Sequence, residues 1–127
     1  MSDTKVFISH SHDDSGWSRA FVDALARKGL SLWYDDLDLK PGDRLSDAID
    51  RALRESDAIV FILSPGAIDS KALFWELGAA VALNKQIIPI IWDDLDRSKV
   101  PVPLLQKRYL VRREPDETAE EVARAVA

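Results

Sequence analysis

Cysteine is absent from the 127-residue sequence, so neither a disulfide nor a thiolate nucleophile is available. This absence fits a reducing compartment. The apolar runs reach only about six residues, whereas a membrane-spanning helix needs about 20. No basic segment followed by an apolar one opens the chain, so we expect no secretory signal and a cytoplasmic location.

Clusters of positive charge are also lacking. Lys and Arg number 17 against 22 Asp and Glu, the net charge is −5, and the basic residues are scattered. We therefore expect no nucleic acid and no membrane as partner. Neither a P-loop nor a G-x-G-x-x-G segment occurs, so a nucleotide would not be held in either of those ways.

The remaining composition, 46% hydrophobic and 31% charged with four Trp, is typical of a soluble globular protein. Its length fits one domain over residues 1–127. The last predicted helix stops abruptly at Ala127, which suggests a domain cut from a longer protein.

Short apolar runs alternate with segments of helical spacing. Most of the short runs are continuously apolar, as in "AIVFIL", which is typical of strands covered on both faces of a parallel sheet. The alternation therefore predicts an α/β fold of three layers. Pro89 lacks a ladder donor, which places the fourth strand near the margin of the sheet. The predicted strands are 5–9, 30–34, 58–63, 87–91 and 108–111, and the predicted helices are Trp17–Lys28, Leu45–Leu53, 72–84 and 116–126.

One carboxylate, Glu76, interrupts the apolar segment "SKALFWELGAA". A helical wheel places it in an apolar arc, and a helix that is apolar all round is either buried or covered by a partner. Burying a carboxylate is costly unless it is paired, hydrogen-bonded or protonated. The arc contains Leu73, Leu77, Ala80, Val81 and Leu83, and the opposite side carries Ala72, Trp75, Ala79 and Ala82.

Two interpretations of Glu76 stay open. The carboxylate could cap the first-turn amides or pair with Lys71 or an arginine. Alternatively, it lines a cleft and serves chemistry, with the apolar walls tuning its pKa. Its position favours the second interpretation, because ligands of doubly wound sheets bind beyond the carboxyl ends of the strands. The helix of Glu76 begins near that edge, and the loop "SHSHDDSG" opens onto it.

Three segments together carry a resemblance to a known family. They are "KVFISHSHDD", "LWYDDLDLKPGDRLSDAIDRALRESDAIVFILSPGAIDS" and "FWELGAA", and the match around them runs over about residues 4–125 in the right order and spacing. The chain resembles a bacterial TIR (Toll/interleukin-1 receptor) domain. The resemblance implies a flavodoxin-like fold, with five parallel strands in the order 2-1-3-4-5 and helices on both faces.

The resemblance also implies an activity. Many TIR domains cleave NAD⁺ between nicotinamide and ribose, and Glu76 stands where the family has its catalytic glutamate. A carboxylate there can stabilise the positive charge that develops on the ribose. NAD⁺ would be the substrate, no cofactor is expected, and the product would be ADP-ribose or a cyclic isomer. Self-association would switch the activity on, and bacterial anti-phage defence is the usual setting.

Further site residues follow from the same resemblance. A substrate pocket would be shaped by Ser9, His10, Trp33, Tyr34, Asp35 and Ser70. Core packing is the alternative interpretation of Trp33. The segment 35–46 matches the BB loop, and its Pro41–Gly42 pair suits a type II turn. Head-to-tail assembly with other TIR domains would use Leu39, Lys40, Pro41, Gly42, Asp43 and Trp75. Bacterial members commonly have Trp four residues before the glutamate, whereas this chain has Ala72 there and Trp75 next to Glu76.

Other function classes have less support. The segment "HSHDD" contains His10, His12, Asp13 and Asp14, but the spacing is loose and we expect no metal. A receiver domain would need Asp at the end of the third strand, where Ser64 stands. Nucleoside deoxyribosyltransferases, which have a related sheet and a glutamate nucleophile, are a minor alternative enzyme class for this chain. The main rival is a non-catalytic TIR domain that mediates TIR–TIR assembly or interferes with host signalling.

Overall fold

The computed structural model describes residues 4–10, 15–36, 47–65, 67–69, 71–105 and 107–126. Within them, five strands alternate with helices, as the sequence predicts. The strands are β1 (Lys5–His10), β2 (Ser31–Asp36), β3 (Ala58–Leu63), β4 (Gln86–Ile91) and β5 (Leu110–Val111). The helices are α1 (Ser15–Ala26), α2 (Asp47–Glu55), α3 (Lys71–Ala82), α4 (Val102–Leu105) and α5 (Pro115–Val126), with 3₁₀ turns at Ala67–Asp69 and Arg97–Lys99.

All strand pairs are parallel, and the order is β2-β1-β3-β4-β5, which confirms the expected topology. Parallel strands need crossover connections that cover both faces of the sheet. Residues of β3 alternate between two cores for this reason, and the whole strand is buried. No helix in these described ranges is long and apolar enough to cross a bilayer.

The two faces of the sheet carry different helices. Phe7 of β1 packs on the face covered by α2, α3 and α4, here called the α3 face. Val6 and Ile8 pack on the other, covered by α1 and α5, here called the α1 face. Each residue of a strand therefore has a predictable side, because successive side chains alternate between faces.

A glycine lies where the chain turns after α1. Gly29, predicted to lie just past α1, has φ +86°, a left-handed conformation that glycine adopts without a Cβ clash.

Pro89 is accommodated inside β4 because its nitrogen faces β5. Ile91 accepts a hydrogen bond from the Arg112 N–H on the β5 side, and the two-residue alternation puts the nitrogen of Pro89 on that same side. Since β5 pairs only with Ile90 and Ile91, the missing proline donor leaves no ladder bond broken. β5 is the edge strand, so β4 lies next to the margin of the sheet, as Pro89 predicts.

The structure corrects several details. Val81 is 53% exposed, although the helical wheel placed it in the buried arc; it lies at the border of that arc. β5 is shorter than the predicted run 108–111, and β2 begins and ends later than 30–34. The sequence analysis missed α4, whose single turn is too short to show a helical period.

Candidate active site

A polar pair lies at the point where the strand order reverses. The chain leaves β1 toward β2 and leaves β3 in the opposite direction toward β4, so the crevice between their carboxyl ends is the switch point of the sheet. Ser9 comes from the end of β1, and Glu76 comes from α3, the helix that follows β3. Both residues therefore lie where this architecture binds ligands.

Glu76 and Ser9 are in direct contact and buried. The Ser9 hydroxyl donates a hydrogen bond of 3.1 Å to Glu76 Oε1. Glu76 is 1% exposed and Ser9 is fully buried. α3 carries the carboxylate inward because Leu73, Leu77 and Ala80 of the same helix face pack into the core of the α3 face.

The chemical consequence is a carboxylate kept out of bulk water beside a neutral donor. Desolvation disfavours an ionised carboxylate, and a hydrogen bond donated to the charged form offsets part of that cost. Because the Ser9 hydroxyl is neutral, its hydrogen bond would stabilise an ionised Glu76 without neutralising it.

Trp33 lies two residues closer to the amino ends of the strands than the position of Ser9. Its ring stacks on Phe7 at a centroid distance of 5.1 Å, and it also borders a cavity of about 220 Å³ at the amino ends of β1 and β2. The register places Trp33 opposite Phe7 and places Asp35 opposite Ser9. Core packing is therefore the contact that the structure shows for Trp33.

His10 is buried but lies on the other face. Ser9 contacts α3, and the alternation along β1 puts His10 on the α1 face with Val6 and Ile8. The structure consequently does not bring the His10 side chain together with Glu76.

The other predicted site residues have no described side chain. Tyr34 and Asp35 lie in β2 and Trp75 lies in α3, and the structure describes the backbone at these positions. Leu39, Lys40, Pro41, Gly42, Asp43 and Ser70 lie outside the described residues, as does most of the "HSHDD" segment. Within the part of the chain that is described, no three His, Asp or Glu side chains form a metal-binding group.

Sequence reasoning missed a charged cluster at the ends of β4 and β5. Arg112 donates from Nε and Nη2 to Asp93 Oδ1 at 3.1 Å and 2.8 Å, and its guanidinium lies 4.0 Å from the centre of the Trp92 ring. The hydrogen bond from Arg112 holds the pKa of Asp93 below its ordinary value. Trp17 meets the Trp92 ring edge-on. The sequence shows the acidic pair Asp93–Asp94 shortly after β4, but it does not indicate that Arg112 is the partner of Asp93.

A groove runs along the β5 edge. It has a volume of about 470 Å³, and its apolar floor includes Ile87, Ile88 and Leu110. Three basic side chains, Lys107, Arg108 and Arg124, border it with one acidic residue, Glu121. Arg124 is paired with Glu120 at 2.7 Å, so Lys107 and Arg108 supply most of the positive charge at this groove.

The sheet order and the polar switch point define a flavodoxin-like α/β domain. The profile of the TIR domain family matches residues 6–126, and the chain belongs to that family.

Two relatives illustrate the relationship. The chain is 40% identical over 91 residues to the "Probable 2' cyclic ADP-D-ribose synthase BdTIR" of Brachypodium distachyon, which covers 70% of this chain and 41% of the relative. It is 35% identical over 100 residues to the "NAD(+) hydrolase TcpC" of Escherichia coli, covering 74% and 32%. The chain thus spans less than half the length of either relative.

The fold also matches a solved structure. The crystal structure of the TIR domain of the Toll-related receptor TRR-2 from Hydra magnipapillata has a TM-score of 0.72 and 24% identity, over 95% of this chain and 96% of that one. This likeness supports the fold.

Proposed function

We propose that this TIR domain is an NAD⁺ nucleosidase that cleaves the bond between nicotinamide and ribose. The observation that carries the proposal is the buried carboxylate of Glu76, held by Ser9 at the switch point of the sheet. The names of the two relatives, an NAD(+) hydrolase and a probable 2' cyclic ADP-D-ribose synthase, support it.

The chemistry suits a single carboxylate. When the N-glycosidic bond breaks, the bonding electrons leave with nicotinamide, whose cationic ring becomes a neutral molecule. The ribose carbon gains positive charge, and a carboxylate in a water-poor site stabilises that charge strongly. Strong acid catalysis is unnecessary because the leaving group needs no proton. Glu76 is the catalytic residue of this proposal.

The acceptor decides the product. Attack by water gives ADP-ribose and releases one proton, whereas attack by a hydroxyl of the same molecule gives a cyclic isomer and also releases one proton. NAD⁺ is the substrate in both cases, and the reaction needs no cofactor. We place the reaction in the cytoplasm, and bacterial immune signalling is its proposed setting.

Self-association is the proposed activating step. A carboxylate that is 1% exposed cannot contact a ribose until neighbouring groups move. Contact with a second protomer is the step proposed to move them. The groove at the β5 edge carries Lys107 and Arg108, and the BB-loop segment has four aspartates, Asp35, Asp36, Asp38 and Asp43, against two basic residues, Lys40 and Arg44. This complementarity supports a head-to-tail contact, which repeats from one protomer to the next.

Release of nicotinamide from NAD⁺ tests the proposal. We expect turnover at high protein concentration, with specific activity falling on dilution, and loss of turnover in Glu76→Ala and Glu76→Gln. Unchanged turnover in both variants would remove Glu76 from catalysis. A lone-protomer enzyme would instead keep its specific activity on dilution.

A non-catalytic assembly domain is the second candidate. The observation that favours it is the outer surface of α3, where Gly78, Val81 and Ala82 are exposed and uncharged. An assembled wild-type protein that releases no nicotinamide would decide for this candidate.

A further inference from the structure

We propose that Ser9 is a positioning residue, whose hydroxyl orients the Glu76 carboxylate and keeps it ionised, and that it does not bind substrate. This inference rests on the proposed nucleosidase function. It replaces the expectation from family resemblance that Ser9 shapes the substrate pocket.

The first argument is the direction of the hydrogen bond. An ionised carboxylate only accepts hydrogen bonds, so the proton between Ser9 and Glu76 Oε1 comes from the hydroxyl. A serine has one such proton. Ser9 therefore has no second proton to donate to a ribose hydroxyl while it holds Glu76.

The second argument is access. Ser9 is fully buried, and its backbone lies in β1 with β2 on one side and β3 on the other. Its partners in the register are Asp35 and Phe61. The contact that the structure gives this buried hydroxyl is with the Glu76 carboxylate on α3, so a substrate that reaches Glu76 need not contact Ser9.

The third argument is the requirement of the reaction. A catalytic carboxylate must be ionised and must point at the ribose carbon before that carbon becomes positive. A donor fixed on a central strand supplies both conditions. Since Ser9 is neutral, it leaves the negative charge of Glu76 available to the substrate.

The expected effect separates positioning from substrate binding. Removing the hydroxyl lowers kcat by about 10-fold to 100-fold, the range expected for losing a hydrogen bond to a charged group. KM changes little, because no contact with the ground-state substrate is lost.

The variants form matched sets. Ser9→Ala removes the hydroxyl, and Ser9→Thr and Ser9→Val have nearly the same shape but only Thr keeps the hydroxyl. Ser18→Ala is the control for a buried serine, since Ser18 Oγ is buried and has no hydrogen-bond partner among the described residues. Thermal unfolding of each variant shows whether it is folded.

The experiment has two independent readouts. The first is kcat and KM for nicotinamide release, where we expect Ser9→Ala and Ser9→Val to lose kcat and Ser9→Thr and Ser18→Ala to keep it. The second is the infrared carboxylate band of Glu76, obtained as the difference from Glu76→Gln. We expect this band to shift in Ser9→Ala and to stay in Ser18→Ala.

The outcomes distinguish the two proposals. If Glu76→Gln is inactive while folded Ser9→Ala keeps its kcat, or raises only KM, the positioning role is wrong and the nucleosidase proposal stands. An unshifted band in Ser9→Ala would overturn the hydrogen bond itself. If the assembled wild type releases no nicotinamide, the nucleosidase proposal fails and the positioning role fails with it, whatever the band shows.

Discussion

Two carboxylates lie at the same edge of the sheet in opposite surroundings. Glu76, at the end of the β1–β3 crevice, is 1% exposed and accepts a hydrogen bond from a neutral serine. Asp93, after β4, has a 57% exposed side chain and accepts two hydrogen bonds from Arg112. The first carboxylate is buried beside a neutral hydroxyl, and the second is exposed to water beside a cationic guanidinium.

This difference teaches why one of the two sites suits the proposed chemistry. The charge of Asp93 is balanced by a guanidinium, so a developing cation would gain little by approaching it. Glu76 meets a neutral donor in apolar surroundings, where a new positive charge interacts strongly because water does not screen it. Burial distinguishes the two sites, although both carry a carboxylate.

The largest expected effect is the loss of activity when the charge of Glu76 is removed, and removal of the charge of Asp93 is the control. Glu76→Gln keeps the shape of the side chain but should lower nicotinamide release by roughly 100-fold to 1,000-fold, because the developing ribose charge loses its partner. Asp93→Asn should leave turnover within about twofold. The measurement is kcat/KM at one protein concentration, and a large loss in Asp93→Asn would break the comparison.

The apolar wall beside Glu76 should be the costliest part of α3 to remove. Leu73 is buried in the core of the α3 face, so Leu73→Ala should lower the free energy of unfolding by about 2–5 kcal/mol. Val81→Ala, at an exposed position of the same helix, should change it by less than about 0.5 kcal/mol. Urea unfolding measures both values. Equal losses would mean that the exposed face of α3 is itself covered in solution.

Much of the fold could be predicted because apolar runs report burial directly. β3 is predicted with its observed bounds, since a strand buried on both faces is apolar at every position. α4 could not be predicted, because a four-residue helix is too short to show a period. The strand order came from the family resemblance, since periodicity contains no information on which strands are neighbours.

The candidate site could be predicted only in outline. The sequence places Ser9 and Glu76 at one sheet edge, but their hydrogen bond joins residues 67 positions apart and depends on the seating of α3. The face of His10 follows from the alternation along β1 only once that strand is placed. The Arg112–Asp93 pair joins two loops and has no local pattern.

Charge reversal in the groove should have a smaller effect on assembly than Glu76→Gln has on turnover. We expect Lys107→Glu with Arg108→Glu to weaken self-association by about 10-fold, because exposed charge pairs contribute little each. Sedimentation at several concentrations measures this loss, and added salt should weaken the wild type in the same direction. Val102→Lys, at an exposed position outside the groove, is the control. Unchanged association of the double variant would exclude the groove as the contact.

The smallest expected effect concerns the pH dependence of the exposed pair. The hydrogen bond from Arg112 holds the pKa of Asp93 below its ordinary value of 3.8. A carboxyl with a depressed folded pKa stabilises the fold above its unfolded pKa, and this contribution is lost as pH falls through the folded pKa. Wild type should therefore exceed Asp93→Asn in stability at about pH 6, and the difference should disappear in acid. Asp96, whose pKa is also lowered, through hydrogen bonds from Ser98, is present in both proteins and cancels. Urea unfolding at the two pH values measures the difference in the free energy of unfolding. If this difference persists in strong acid, Asp93 stabilises the fold by packing. The contrast between Asp93 and Glu76 would then not be one of charge.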